Sequence, residues 1–300
     1  MEYFTIKDIE NLSGIKAHTL RIWEQRYSLF VPKRKDSQHR IYDNEDLKQL
    51  LRISFLYHNG RKISKIANLS SDQIAEEVRK SEINSQTYKT FIIQLIEAAI
   101  DFDETAFVEI LNRLTAKIGF EKSITDICYP YLQRIGMLWV TNNIIPAQEH
   151  FSSYIIQNRI ISETDKLSIN NEAPTLLLFS PKGEYHELPL LFIFYLLRKN
   201  GWSVVYLGTS ITKEVIKQFT ENNEIKYLFL HLLTNFTGWD ADVYFEDLCR
   251  SFPNKEIIAS GTAVHQVERN FVNLKLLKSD KEIYGFIERG KGNVKNEKIV

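Results

Sequence analysis

The sequence predicts a multidomain protein of mixed α and α/β class: a small N-terminal helical unit, a central helical bundle and a C-terminal parallel sheet. Three observations carry this. Apolar residues recur at helical spacing as far as residue 168. From Thr175 the pattern changes to short apolar runs of strand length separated by helical stretches. The charge sums to zero, with 38 Lys and Arg against 38 Asp and Glu, yet it is divided unevenly. Residues 1–69 hold 13 basic and 8 acidic residues, net +5, and the remainder hold 25 and 30, net −5, so a basic unit suited to phosphate precedes an acidic remainder.

The first unit spans 1–78. Thr5 precedes Ile6, Ile9 and Leu12, a capped three-turn helix that stops at Gly14. Lys16 to Tyr27 forms a second helix with Leu20 and Trp23 on its apolar face. Both belong to the core of the unit, while Arg21, Glu24, Gln25 and Arg26 lie on the other faces. Helix, glycine turn, helix is the helix-turn-helix pattern. Val31 to Tyr42 carries turn residues at Pro32, Asp36 and Ser37, and a short alternating strand at Arg40-Ile41-Tyr42, which together make a basic β-wing. A helix from Asn44 to near Gly60 shows a broad apolar stripe, and a short one over Ile63–Leu69 closes the unit.

Residues 79–168 read as a four-helix bundle, with amphipathic segments near 83–99, 102–117, 120–139 and 146–167. The polar stretch 169–174 ends on Pro174 and reads as a linker. Residues 175–290 carry strands at 176–180, 203–207, 227–232 and 256–259. The helical patterns between them imply parallel crossovers and a Rossmann-like or flavodoxin-like domain. Ligands in such folds bind beyond the carboxyl ends of the strands, here the segments from Ser180, Gly208, Leu233 and Ser260. Residues 291–300 form a polar tail.

Composition narrows the function classes. Hydrophobic content of 44% with 25% charged residues is that of a folded globular chain. The longest apolar runs, 188–197 and 227–233, are far short of the ~20 residues needed to cross a bilayer. No cleavable signal opens at Met1, so the expected location is the cytoplasm. Two cysteines, Cys128 and Cys249, lie 121 positions apart, which excludes a disulfide framework and a thiolate metal sensor. The sequence contains no P-loop, no G-x-S-x-G elbow and no H-E-x-x-H, so no enzyme is predicted.

Leu20-Arg21-Ile22-Trp23-Glu24-Gln25-Arg26-Tyr27, then Pro32, then Arg40-Ile41-Tyr42, resembles the winged helix-turn-helix of the MerR family of transcription regulators. The resemblance covers nearly all of residues 3–69. It implies that the second helix enters the major groove of double-stranded promoter DNA and that the wing grips flanking phosphates. Thr19, Arg21 and Arg26 would then face DNA, with Arg40 and Tyr42 anchoring the wing. The chemistry agrees, since Arg binds a phosphate or a guanine edge bidentately and a Tyr hydroxyl donates to phosphate oxygen. Readers of this geometry commonly bind palindromic half-sites as dimers, so a homo-oligomer is expected.

In the bundle, Trp139 is followed, after nine intervening residues, by Glu149-His150, and Glu184-Tyr185-His186 follows the first strand of the α/β domain. Together they resemble the cobalamin-binding module of light- or cobalamin-responsive MerR-type regulators. The resemblance implies a cobalamin cofactor, adenosylcobalamin among its forms, with His186 as the cobalt ligand. Glu184 would hold that imidazole, and Trp139, Glu149 and His150 would cover the opposite face. A neutral imidazole whose second nitrogen is held by a carboxylate is a sound metal ligand. The spacing of the later motifs is kept, but Pro189, His231 and Ser260 replace smaller or differently polar groups, while Gly261 keeps its place beside Ser260. His231 would put an imidazole into the channel for the buried nucleotide tail, and Ser260 would narrow its far wall. Val140 stands where light-responsive members carry a second His, so the same light-state ligation is not expected. Two alternatives remain open at this point. The module has lost its cofactor and serves oligomerisation or partner binding, or the chain is a corrinoid-dependent methyl carrier or isomerase subunit. The second would require a catalytic partner domain that the sequence does not supply.

Overall fold

The computed structural model describes residues 4–29, 33–34, 40–58, 60–84, 89–140, 146–170, 175–233 and 240–290. The chain divides into two compact units, Met1–Ile155 and Ile156–Val300.

The first unit opens with β1 (Phe4–Thr5), α1 (Ile6–Ser13) and α2 (Ala17–Tyr27). Gly14 turns between the helices at φ 70°, a left-handed conformation that suits glycine. Glu10 accepts a hydrogen bond from the Ala17 amide at 3.0 Å, so a side chain of α1 satisfies a free donor at the start of α2. Strands β2 (Lys33–Arg34) and β3 (Arg40–Tyr42) pair antiparallel, and β1 adds to the other side of β3. The wing's tip, residues 35–39, lies outside the described residues. Helix α3 (Asn44–His58) buries Leu47, Leu50, Leu51, Ile53, Phe55 and Leu56, the stripe read from the sequence, and α4 (Ile63–Ile66) follows.

A helix not drawn from the sequence, α5 (Ser71–Asn84), comes next. Its start is a reciprocal capping box. The Ser70 amide donates to Gln73 Oε1 at 2.9 Å and the Gln73 amide donates to Ser70 Oγ at 3.2 Å. Helices α6 (Lys89–Ile100) and α7 (Glu104–Ile118), then α8 (Phe120–Lys122), a π-helical turn at Ser123–Cys128 and α9 (Tyr129–Val140), and finally α10 (Pro146–Asp165), correspond to the four predicted segments. The third segment is not one regular helix because Pro130 has no N–H to donate and its ring crowds the preceding turn. The wider π-turn just before it accommodates both. Arg52 of α3 donates bidentately to Glu97 of α6, with both bonds at 2.9 Å, and Lys48 donates to both Asp101 oxygens at 2.8 Å.

The second unit is built on a five-stranded parallel sheet. Its elements are β4 (Thr175–Pro181), α11 (Glu187–Lys199), β5 (Ser203–Ile211), α12 (Lys213–Asn222), β6 (Tyr227–His231), α13 (Ala241–Ser251), β7 (Glu256–Ser260), β8 (Leu274–Leu277) and α14 (Asp280–Ile287). The order β5-β4-β6-β7-β8 is the flavodoxin-like arrangement, in which the chain reverses direction across the sheet at β4. Leu177, Phe179, Leu228, Leu230, Ile257 and Ala259 form the fully buried interior, the near-continuous apolar runs expected of a parallel sheet covered on both faces. The edge strand β8 is absent from the sequence reading, because a short 3-10 turn at Thr262–Gln266 leads to it in place of a crossover helix.

Candidate functional site

Two groups of predicted residues can be followed in the structure. On α2, Leu20 and Trp23 point inward, and the Trp23 ring meets Tyr57 edge-on at 4.8 Å. That packing turns His18, Arg21, Ile22, Gln25 and Arg26 to the exposed face, with Thr19 half-buried beside them. Arg21 and Arg26 therefore present guanidinium groups on the same exposed helix. Arg40 is committed differently: its Nε donates to Glu24 Oε2 at 2.8 Å, which ties the wing strand to α2. The DNA-facing role expected of Tyr42 is corrected. Its side chain is only 1% exposed, and burial pushes its hydroxyl pKa up to about 12. Tyr42 sits on the inward side of β3, so it fixes the wing from within and cannot present its hydroxyl to a phosphate.

The second group surrounds the loop between β4 and α11. Glu184 is buried to 1% exposure and its carboxylate accepts three hydrogen bonds. Oε1 takes the His186 backbone amide at 3.0 Å and His186 Nδ1 at 2.6 Å, and Oε2 takes the Leu233 amide, just past β6, at 2.8 Å. With the imidazole proton on Nδ1, Nε2 carries the lone pair of the ring, and the ring stands 55% exposed. Leu233 opens one of the rim segments expected from the sequence, but its amide as a donor to Glu184 leaves no signal there, since every residue type except proline offers the same backbone group.

At the end of β6, His231 Nδ1 meets Ser260 Oγ at 2.9 Å, and Ser180 Oγ donates to the His231 carbonyl at 3.0 Å. His231 Nε2 is buried and, among the described residues, has no hydrogen-bond partner. Burial, the largest influence, pushes the His231 pKa down to about 4, with Glu184 opposing and His186 adding to the shift. His231 is thus a neutral interior side chain. Gly261 follows at φ 101°, where a Cβ would overlap the Leu232 carbonyl, so the close approach of these two backbone segments requires glycine. Pro189 lies in the first turn of α11, where its missing N–H costs nothing.

The bundle residues are placed as follows. Glu149 and His150 lie in the first turns of α10, paired with each other at 3.1 Å, with His150 strongly exposed. Trp139 and Val140 lie on α9, and their side chains fall outside the described residues.

Comparison with known proteins covers the first group with a family match, while the loop between β4 and α11 lies outside both matched segments. Residues 4–73 match the MerR HTH family of regulatory proteins, and residues 92–161 match the B12 binding domain. The chain carries a MerR helix-turn-helix domain and a B12 binding domain. This MerR-type chain is similar to the HTH-type transcriptional repressors CarA and CarH of Myxococcus xanthus. It is 26% identical to CarA over 68% of this chain and 67% of that protein, and 24% identical to CarH over 70% and 72%. Its fold resembles the monomethylamine corrinoid protein of Methanosarcina barkeri, with a TM-score of 0.52 and 15% identity over 68% of this chain and 99% of that one. Among the described residues, no helix is long and apolar enough to cross a membrane, and no cluster of three or more His, Cys, Asp or Glu side chains could hold a metal ion. An imidazole whose Nδ1 is held by a buried carboxylate, as His186 is by Glu184, has the donor chemistry to meet the metal of a cofactor.

Proposed function

We propose that the chain is a cytoplasmic, DNA-binding transcription regulator that senses a cobalamin, adenosylcobalamin being the candidate form. The observation that carries the reading is the Glu184–His186 pair, a buried carboxylate that fixes the tautomer of an exposed imidazole at the mouth of a flavodoxin-like sheet. Bound there, the cofactor would supply a cobalt centre with an exchangeable organic ligand. His186 would hold the metal, Glu184 would hold His186, and Gly261 would allow close backbone approach. From the resemblance, Trp139, Glu149 and His150 are the bundle's candidate contacts. His231 and Ser260, the last residues of β6 and β7, are buried against each other, which favours a shorter or shifted seat for any tail of the cofactor.

The domain assignments follow: 1–78 reads DNA, 79–168 and 175–290 form the sensor, and 169–174 joins them. Arg21 and Arg26 meet the duplex together with Thr19, and Arg40 braces the wing. The partner is a palindromic promoter element bound by two or more copies of the chain. The test is an absorption spectrum of purified protein incubated in the dark with adenosylcobalamin and desalted, repeated after illumination. Retained corrinoid absorbance that His186→Ala alters supports the reading. Complete loss of colour on desalting overturns it in favour of a cofactor-free module that serves assembly.

A further inference from the structure

The geometry points to Ser210 as the positioning residue for the His186 imidazole, acting through the backbone of Glu184. Nothing in the sequence marks this serine. It lies near the end of β5, where two register shifts against β4 push the strand out of regular pairing: Leu178 faces Tyr206, Phe179 faces Gly208 and Pro181 faces Ile211. Ser210 adopts φ 58°, a left-handed conformation that is strained for a residue other than glycine. A residue held in that region signals that the surrounding structure uses it.

The use is visible in two hydrogen bonds. The Ser210 amide donates to the Glu184 carbonyl at 3.0 Å, and Ser210 Oγ accepts from the Gly183 amide at 3.2 Å. One residue therefore clamps the peptide groups on both sides of the Gly183–Glu184 bond. Gly183 is itself at φ 90°, and the Glu184 amide closes the turn onto Pro181 at 2.9 Å. The buried carboxylate is thus fixed twice: its backbone is held from β5 by Ser210, and its Oε2 from the end of β6 by the Leu233 amide. The other oxygen is left to orient the imidazole. Glycine at position 210 would relieve the strain at no cost to the backbone, yet the chain carries a hydroxyl that glycine cannot supply. The inference rests on the proposed function only in assigning the imidazole a ligand to meet.

The test uses the full chain and two variants. Ser210→Gly keeps the backbone conformation and removes the hydroxyl, and its melting temperature should equal or exceed that of the parent. Ser210→Ala removes the hydroxyl and keeps the strain. Without cofactor, amide exchange over Gly183–His186 should rise about tenfold in both variants, and nitrogen NMR of His186 should change from one tautomer to a mixture. Retention of aquacobalamin should weaken about 10- to 100-fold, the range for loss of an outer support of a metal ligand. Parental exchange and a single tautomer in both variants would overturn the assignment, and so would a response in Ser210→Ala alone, which would assign the effect to strain. If the parent chain retains no cobalamin but exchange and tautomer still respond, the positioning role stands and the cobalamin reading falls.

Discussion

His231 makes the stability of the α/β unit depend on pH in a way that can be worked from the structure. Its side chain is 7% exposed, and its pKa is pushed down to about 4 from the ordinary 6.5, chiefly by burial. The unfolded chain therefore binds a proton between those values that the folded chain refuses. The contribution is fully present above about pH 6.5 and is lost as pH falls toward 4, because stability rises with pH wherever the unfolded state holds more protons. The shift of about 2.5 units corresponds to about 3 kcal/mol in total, of which about 2 kcal/mol is lost between pH 7 and pH 5. The perturbation is His231→Asn, which removes the titrating group and keeps a polar side chain near Ser260. The assay is urea unfolding of both proteins at pH 7 and pH 5, followed through amide protection of Leu228–Leu230 and Ile257–Ala259. The parent should lose about 2 kcal/mol more than the variant on acidification. Equal losses would refute the argument, whatever the variant does to stability at pH 7.

Gly261→Ala should destabilise the same unit by about 2–5 kcal/mol, from a left-handed backbone plus overlap with the Leu232 carbonyl, measured by the urea midpoint. A double-mutant cycle on Arg52→Ala and Glu97→Ala should return a coupling of about 1–3 kcal/mol, more than a surface pair, because the contact is bidentate and Glu97 is held largely away from water. Arg21→Ala and Arg26→Ala should each weaken binding to a promoter duplex and lower the slope of log affinity against log salt by about 1 where the arginine meets a phosphate. Tyr42→Phe should leave that slope unchanged and alter only stability, as its burial requires.

The pattern of apolar residues determined most of the architecture. Helical spacing with Gly14 at the turn specified α1 and α2, and continuous apolar runs between helical segments specified β4 to β7, because period and burial are properties of local sequence. The capping box at Ser70 and Gln73 is a local sequence signal of the same kind and marks the start of α5. Residue types at fixed spacing also brought Glu184 and His186 into view, and the structure joins them at 2.6 Å. What only tertiary structure decided is how each polar group is spent. Arg40 turns to Glu24, and Tyr42 turns into the core because alternation along a three-residue strand does not say which face is wet. The Leu233 amide, the left-handed Ser210 and the burial of His231 against Ser260 arise from strands distant in sequence bringing their carboxyl ends together in one sheet. Backbone donors and dihedral angles carry no residue signature, so their part in holding His186 becomes visible only when β4, β5 and β6 lie side by side.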